Sequence, residues 1–146
     1  MTEGAPKHVI IGITGGIAAY KAMTLIRLFK SAGCEVKVVA TTNALEFVTP
    51  LTIETLSQNA LYCDTFKRSE QFDVHHISHA DWADCMIVAP ASADIIGKMA
   101  NGIADDALST LLLAIKKPLF IAPAMNNKMY ANEAVQRNLA TLQQQG

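Results

Sequence analysis

An apolar run from Val9 to Ile13 passes directly into Thr14-Gly15-Gly16 and then into residues able to start a helix, within HVIIGITGGIAAYKA at His8 to Ala22. A strand that ends on paired glycines at the mouth of a helix is the first half of a βαβ unit. Without side chains at Gly15 and Gly16, backbone N–H groups can approach an anion closely, and the helix start adds its partial positive charge. The stretch therefore reads as a seat for a phosphate. Two glycines after a strand are also compatible with a simple tight turn.

The rest of the chain repeats this alternation. Ile17 to Ala32 places Ile17, Tyr20, Leu25, Ile26, Leu28 and Phe29 among Lys21, Arg27 and Lys30, which predicts an amphipathic helix stopped by Gly33. Val36 to Ala40 is a β-branched run, followed by Thr41-Thr42-Asn43 as a cap for a helix beginning near Ala44. Pro50 opens a short helical piece through Leu56, Leu61 to Phe66 is a short strand or an irregular surface segment, and Lys67 to Gln71 is a polar loop. A short helix is expected over His76 to Ala83. Cys85 to Ala89 and Pro118 to Ala122 read as buried parallel strands. Between these strands lie the turn Pro90 to Asp94 and helices over Ile95 to Ala100 and Asp105 to Ile115; Ala131 to Gln144 is a final amphipathic helix.

Strands alternating with helices imply the α/β class: a three-layer Rossmann-like (flavodoxin-like) domain with a mostly parallel sheet and helices on both faces. The 146 residues suit a single domain. In such sheets ligands gather at the carboxyl ends of the strands. Four turns should therefore meet: Thr14 to Ala18, Thr41 to Asn43, Pro90 to Asp94, and Pro123 to Tyr130. Neither G-x-G-x-x-G nor G-x-x-x-x-G-K-[ST] occurs, and the second strand ends on threonines rather than the carboxylate a dinucleotide ribose needs. Small residues and hydroxyls suit a monophosphate and a flat ring system better.

Charge excludes other classes. With 12 Lys and Arg against 13 Asp and Glu, no polyanion-binding face is indicated, so no nucleic-acid partner is expected. No apolar stretch reaches the roughly eighteen residues of a membrane span, and Met1 to Lys7 has no apolar signal core, so a cytoplasmic location away from membranes is expected. Cys34, Cys63 and Cys85 are too scattered for a disulfide frame or a zinc knuckle and read as small apolar residues. His75 and His79, four apart were a helix to include both, read as solvent-facing, the alternative being a metal pair; no metal site is assigned.

GITGGIAAYK, HISHADWADCMIVAPASADIIGKMANGIADD and PLFIAPAMNNKMY together resemble the flavin-dependent cysteine decarboxylase family, most of all its phosphopantothenoylcysteine decarboxylase branch. The resemblance covers nearly the whole chain, and PAMNxxMY is its most specific part. It implies FMN held between subunits. Gly15, Gly16, Ile17 and Ala18 would wrap the phosphate with a hydroxyl from Thr41. Ser92, Ala93, Asp94 and Ile95 match the family's PASANT-like segment, and Ala124 and Met125 would lie on the ring or substrate side. Asp94 stands where some members have Asn, and a helix N-cap is its alternative role.

By the same resemblance His76, preceding Ile77 and shortly before Trp82-Ala83-Asp84, is the catalytic base, with His75 and His79 as competitors. Asn126 is the residue that holds the substrate carboxylate, an amide being able to do so without adding charge; as a bare residue it would read as a turn or cap. Met129 would pack beside the substrate, and Lys128 would face solvent.

The implied reaction is FMN-dependent decarboxylation of 4′-phosphopantothenoylcysteine to 4′-phosphopantetheine, through oxidation to a thioaldehyde, loss of carbon dioxide and reduction of the enethiolate. The family's A-C-G-D-like cysteine segment has no match here. Residues 1–146 are therefore expected to be the single flavoprotein domain without its C-terminal substrate clamp or the ligase domain, and to stall before the last reduction. A homo-oligomer, trimer or dodecamer, is implied. Peptidyl-cysteine decarboxylase, flavin prenyltransferase and a non-catalytic flavin-binding assembly or regulatory subunit are the alternatives; His76 with Asn126 favours an enzyme.

Overall fold

The computed structural model describes residues 4–63 and 78–146. Among them run β1 (His8–Ile13), α1 (Lys21–Ser31), β2 (Glu35–Ala40), α2 (Pro50–Ser57), β3 (Tyr62–Cys63), β4 (Cys85–Ala91), α3 (Ala93–Asn101), α4 (Ala107–Ala114), β5 (Leu119–Pro123), α5 (Asn127–Tyr130) and α6 (Glu133–Gln145). The strands form one sheet in the order β3-β2-β1-β4-β5, and every pairing is parallel. The order reverses between β1 and β4, so the expected doubly wound, Rossmann-like fold is present. Flavodoxin itself runs 2-1-3-4-5, by contrast.

β1 is the hub because it is apolar on both faces. Val9, Ile10, Ile11 and Ile13 are fully buried, each contributing about 1.5–3 kcal/mol relative to exposure. Alternation along the strand divides them between two cores. Val9, Ile11 and Ile13 join Ala22 and Ile26 of α1 and Ile53 of α2, while Ile10 joins Met86, Ile95, Ile96, Leu108 and Leu111 from β4, α3 and α4. Gly12 keeps the second core closed, since a Cβ there would lie 2.7 Å from Leu108 Cδ1.

Several boundaries differ from the sequence reading. The helix expected from Ile17 opens as a 3-10 turn, Ile17–Tyr20, because Ala19 N–H bonds the Gly16 carbonyl three residues back. The helix expected near Ala44 is likewise a 3-10 turn, Asn43–Glu46. β4 runs past Ala89 through Pro90 to Ala91; its register with β5 shifts between Val88 and Ala91, and such an irregularity tolerates a proline with no N–H to give. α6 begins two residues later than expected, where Asn132 Oδ1 accepts the Ala134 N–H at 2.8 Å.

The largest correction concerns β5. Pro118 to Ala122 was expected to be a buried strand, yet β5 is the edge of the described sheet and Phe120 is 57% exposed. An apolar run reports hydrophobic surroundings without saying how many neighbours a strand has. Of the expected His76–Ala83 helix, residues 78–82 are helical; His75, His76 and Ile77, like the loop Lys67 to Gln71, lie outside the described residues. Cys34 and Cys85 are buried and Cys63 half-buried. Burial, and then the neighbouring Asp84 carboxylate, push the Cys85 thiol pKa up, in keeping with a packing role.

Candidate functional site

Three of the four turns expected to meet do so. A cavity of about 260 Å³ lies beyond the carboxyl ends of β1, β2 and β4, lined by Thr14, Gly15, Thr41, Thr42, Asn43, Ser92, Asp94, Lys98, Asp105 and Asp106. It sits where the strand order reverses, the place where doubly wound sheets bind ligands. Gly15, Thr41, Ser92 and Asp94, all named from sequence, are among its walls.

Thr14 fastens the switch point. It is 1% exposed; its Oγ1 donates to the Pro90 carbonyl at 2.6 Å and accepts the Ser92 N–H at 3.0 Å. One hydroxyl thus ties the end of β1 to the end of β4. The two glycines beside it serve different ends. A Cβ on Gly15 would lie 2.6 Å from Asn43 Cβ and 3.1 Å from the Asn43 backbone carbon, so glycine is what lets the β1 and β2 turns close on each other. A Cβ on Gly16 would meet nothing within 4 Å, and Gly16 adopts extended backbone with φ 166°. Gly16 therefore leaves an open approach at the mouth of the turn.

Thr41 Oγ1 accepts the Ala44 N–H at 3.1 Å, a bond that leaves the hydroxyl hydrogen to be donated elsewhere. Ser92 is the N-cap of α3, accepting the Ile95 N–H at 3.2 Å. The cap suggested for Asp94 thus belongs to Ser92. Asp94 stands in the first turn instead and pairs with Lys98 one turn on, 3.0 Å away. Ile95 is 1% exposed in the second core, and its N–H is committed to Ser92. Ala93 is half-buried beside the cap. Ile17 is 78% exposed at the rim and Ala18 half-buried behind it.

The fourth turn is attached but does not enter this cavity. Ala124 N–H bonds the Ala91 carbonyl at 3.1 Å, which sets the β5 turn against the end of β4, with Ala124 and Met125 half-buried. Asn126 is exposed and is the N-cap of α5, its Oδ1 accepting the Lys128 N–H at 2.8 Å. Capping uses the amide oxygen, whereas holding a carboxylate would use the Nδ2 hydrogens, so the two roles are chemically compatible. Met129 is 49% exposed, and Lys128 is exposed as expected.

Sequence reading missed Lys98, Asp105 and Asp106. Lys98 Nζ lies 3.0 Å from Asp94 Oδ2 and 3.0 Å from Asp105 Oδ1, while Asp106 and Ser109 form a capping box at the start of α4. Two signals were available: the four-residue spacing of Asp94 and Lys98, and an acid three residues before Ser109. Partial burial disfavours the Lys98 charge, but the bonds to Asp94 and Asp105 outweigh it and raise its pKa. The Lys98 bond in turn holds the Asp105 carboxyl below its ordinary pKa. Among the described residues, no helix is long and apolar enough to cross a membrane, and no group of three or more His, Cys, Asp or Glu is disposed to hold a metal ion.

A family model described as Flavoprotein matches residues 2–146. The chain is 51% identical over 140 residues to the coenzyme A biosynthesis bifunctional protein CoaBC of Bacillus subtilis, the match taking in 96% of this chain and 34% of that protein. It thus spans about a third of the length of the curated relatives it matches. Among solved structures it is similar to TvaF, an FMN-dependent cysteine decarboxylase from thioviridamide biosynthesis, with a TM-score of 0.88, 29% identity and coverage of 95% of this chain and 86% of that one. It is also similar to a mutant PPC decarboxylase complexed with pantothenoylaminoethenethiol, with a TM-score of 0.84, 33% identity and coverage of 96% and 79%.

Proposed function

The chain belongs to the flavoprotein family, and from that premise we propose that it binds FMN and decarboxylates 4′-phosphopantothenoylcysteine. The observation that carries the reading is the single cavity into which the β1, β2 and β4 turns bring Gly15, Thr41, Ser92 and Asp94. Its volume of about 260 Å³ falls below the range of pockets that enclose a drug-sized ligand. It therefore suits the phosphate end, and Ala124 and Met125, outside it, would be left to hold the flat rings. Rings so placed need cover from elsewhere, which supports a homo-oligomer, trimer or dodecamer, with the site at a subunit boundary. The relatives' place in coenzyme A biosynthesis supports a cytoplasmic location.

Within this reading the Gly15–Gly16 turn and the Thr41 hydroxyl bind the phosphate. When bound, the flavin supplies a reversible two-electron oxidation of the substrate's cysteinyl unit, which weakens the bond to its carboxylate. Asn126, fixed by its bond to Lys128 N–H, presents amide hydrogens to that carboxylate and orients it without trapping it through charge. His76 accepts and returns the thiol proton near neutral pH.

The first test is the visible spectrum of the purified chain after FMN reconstitution, where absence of bound flavin would refute the proposal. With flavin bound, His76→Asn should cut carbon dioxide release by at least about a hundredfold. Asn126→Asp should do so by a similar factor, about a hundredfold, by placing charge against charge, and neither change should release the cofactor. Full activity in either variant would remove that residue from the mechanism. Turnover of peptides ending in cysteine, with none of the phosphopantothenoyl compound, would assign the chain to the peptidyl branch instead.

A further inference from the structure

The cavity beyond β1, β2 and β4 has two unlike walls. Thr14, Gly15, Thr41, Thr42 and Asn43 carry no formal charge, whereas Asp94, Lys98, Asp105 and Asp106 present three carboxylates and one ammonium. A phosphate resting on the first wall faces a second whose formal charge is −2, and like charges across so small a space repel.

The carboxylates are not equivalent. Asp106 Oδ1 is turned inward as a cap, accepting the Ser109 N–H at 2.7 Å and the Ser109 hydroxyl at 2.6 Å. Asp94 and Asp105 have 72% and 57% of their side chains exposed, against 18% for Lys98, which reaches both. Among the residues lining the cavity, Lys98 is the single cation, and it sits between the two acids with the freest access to a ligand.

We infer that Lys98 sets the charge of this wall and thereby makes the cleft accept a phosphorylated flavin over its dephosphorylated form. The inference rests on the FMN reading above and deepens it by assigning phosphate selectivity to a residue that lines the same cavity but lies outside the glycine turn. Lys98 acts by neutralising Asp94 and Asp105, so it is a specificity residue and not a catalytic one. Removing its charge leaves Asp94 and Asp105 uncompensated beside the phosphate; a ligand without phosphate is indifferent to the change.

The test compares dissociation constants for FMN and riboflavin, by flavin fluorescence quenching, in the 146-residue chain and its variants. Lys98→Met should weaken FMN by roughly 10- to 100-fold while leaving riboflavin within about threefold, and added salt should recover part of the loss by screening. Lys98→Arg should keep the wild-type ratio. Asp105→Asn, with Lys98 retained, should tighten FMN about two- to fivefold without moving riboflavin, and this arm decides the matter should Lys98→Met not fold. Equal weakening of both flavins would make Lys98 a structural strut and overturn the inference, as would an unchanged ratio in Lys98→Met or no tightening in Asp105→Asn. Wild-type chain that binds neither flavin would instead sink the FMN reading itself.

Discussion

β1 and β5 each end in a turn that sequence marks as functional, yet they stand in opposite surroundings. β1 is bonded on both sides, and its turn is pinned by Thr14 to Pro90 and Ser92 and closes at Gly15 against Asn43. β5 has β4 on one side, half-buried or exposed side chains, and a following turn whose Asn126, Met129 and Tyr130 are all exposed. The difference teaches that the cavity beyond β1, β2 and β4 is built by tertiary structure within one chain. The Asn126 turn is presented at an edge of the described sheet, with its side chains exposed.

The steepest way to break this contrast is to open the central strand. Ile10→Ala removes a fully buried side chain packed in the cluster with Met86 and Leu108, and should cost about 2–5 kcal/mol in urea unfolding. A loss under about 1 kcal/mol would mean that the core around β1 collapses onto the gap, so that β1 is not the rigid member of the pair.

Breaking the tie between the turns should cost less and say more about the site. Thr14→Val keeps the shape but strands the Pro90 carbonyl and the Ser92 N–H in a buried place. The expected loss is about 1–3 kcal/mol of stability, together with weaker FMN binding as the β1 and β4 turns part. Unfolding and flavin titration on the same samples would separate the two effects. Unchanged flavin affinity would mean that the cleft does not depend on the hydroxyl clasp.

How legible each region was in the sequence follows from the kind of signal it leaves. Val9 to Ile13 followed by paired glycines specifies strand, turn and helix through local residues alone, and the alternation of strands and helices then fixes the doubly wound class. The exposure of β5 was not legible, because PLFIA satisfies the pattern of a buried strand and only the count of neighbouring strands makes it an edge. Lys98 was legible only in part: its spacing from Asp94 was there to read, but its second partner, Asp105, lies in the connection ahead of α4, which no local pattern ties to it. Ser92 and Asp94 were both named, but the cap suggested for Asp94 falls to Ser92, since either can cap a helix and the choice depends on where β4 stops. His76 and Asn126 owe their catalytic assignments to family resemblance; bare residue chemistry reads Asn126 as a cap, and the structure does show it capping α5.

The smallest expected effect lies at the edge and is the most pointed check on the contrast. Phe120 is 57% exposed beside β4 and lines a hollow with Phe29, Ile87 and Pro118 on the face that carries α1. If β5 stands open in the folded chain, Phe120→Ser removes little buried surface, and stability in dilute solution should change by no more than about 0.5 kcal/mol. A loss as large as that of Ile10→Ala would mean that this face is covered whenever the protein is folded. The exposed ring would then belong to an interface, and the two strands would differ in what covers them, a partner at β5 and the chain's own helices at β1, and no longer in whether they are covered at all.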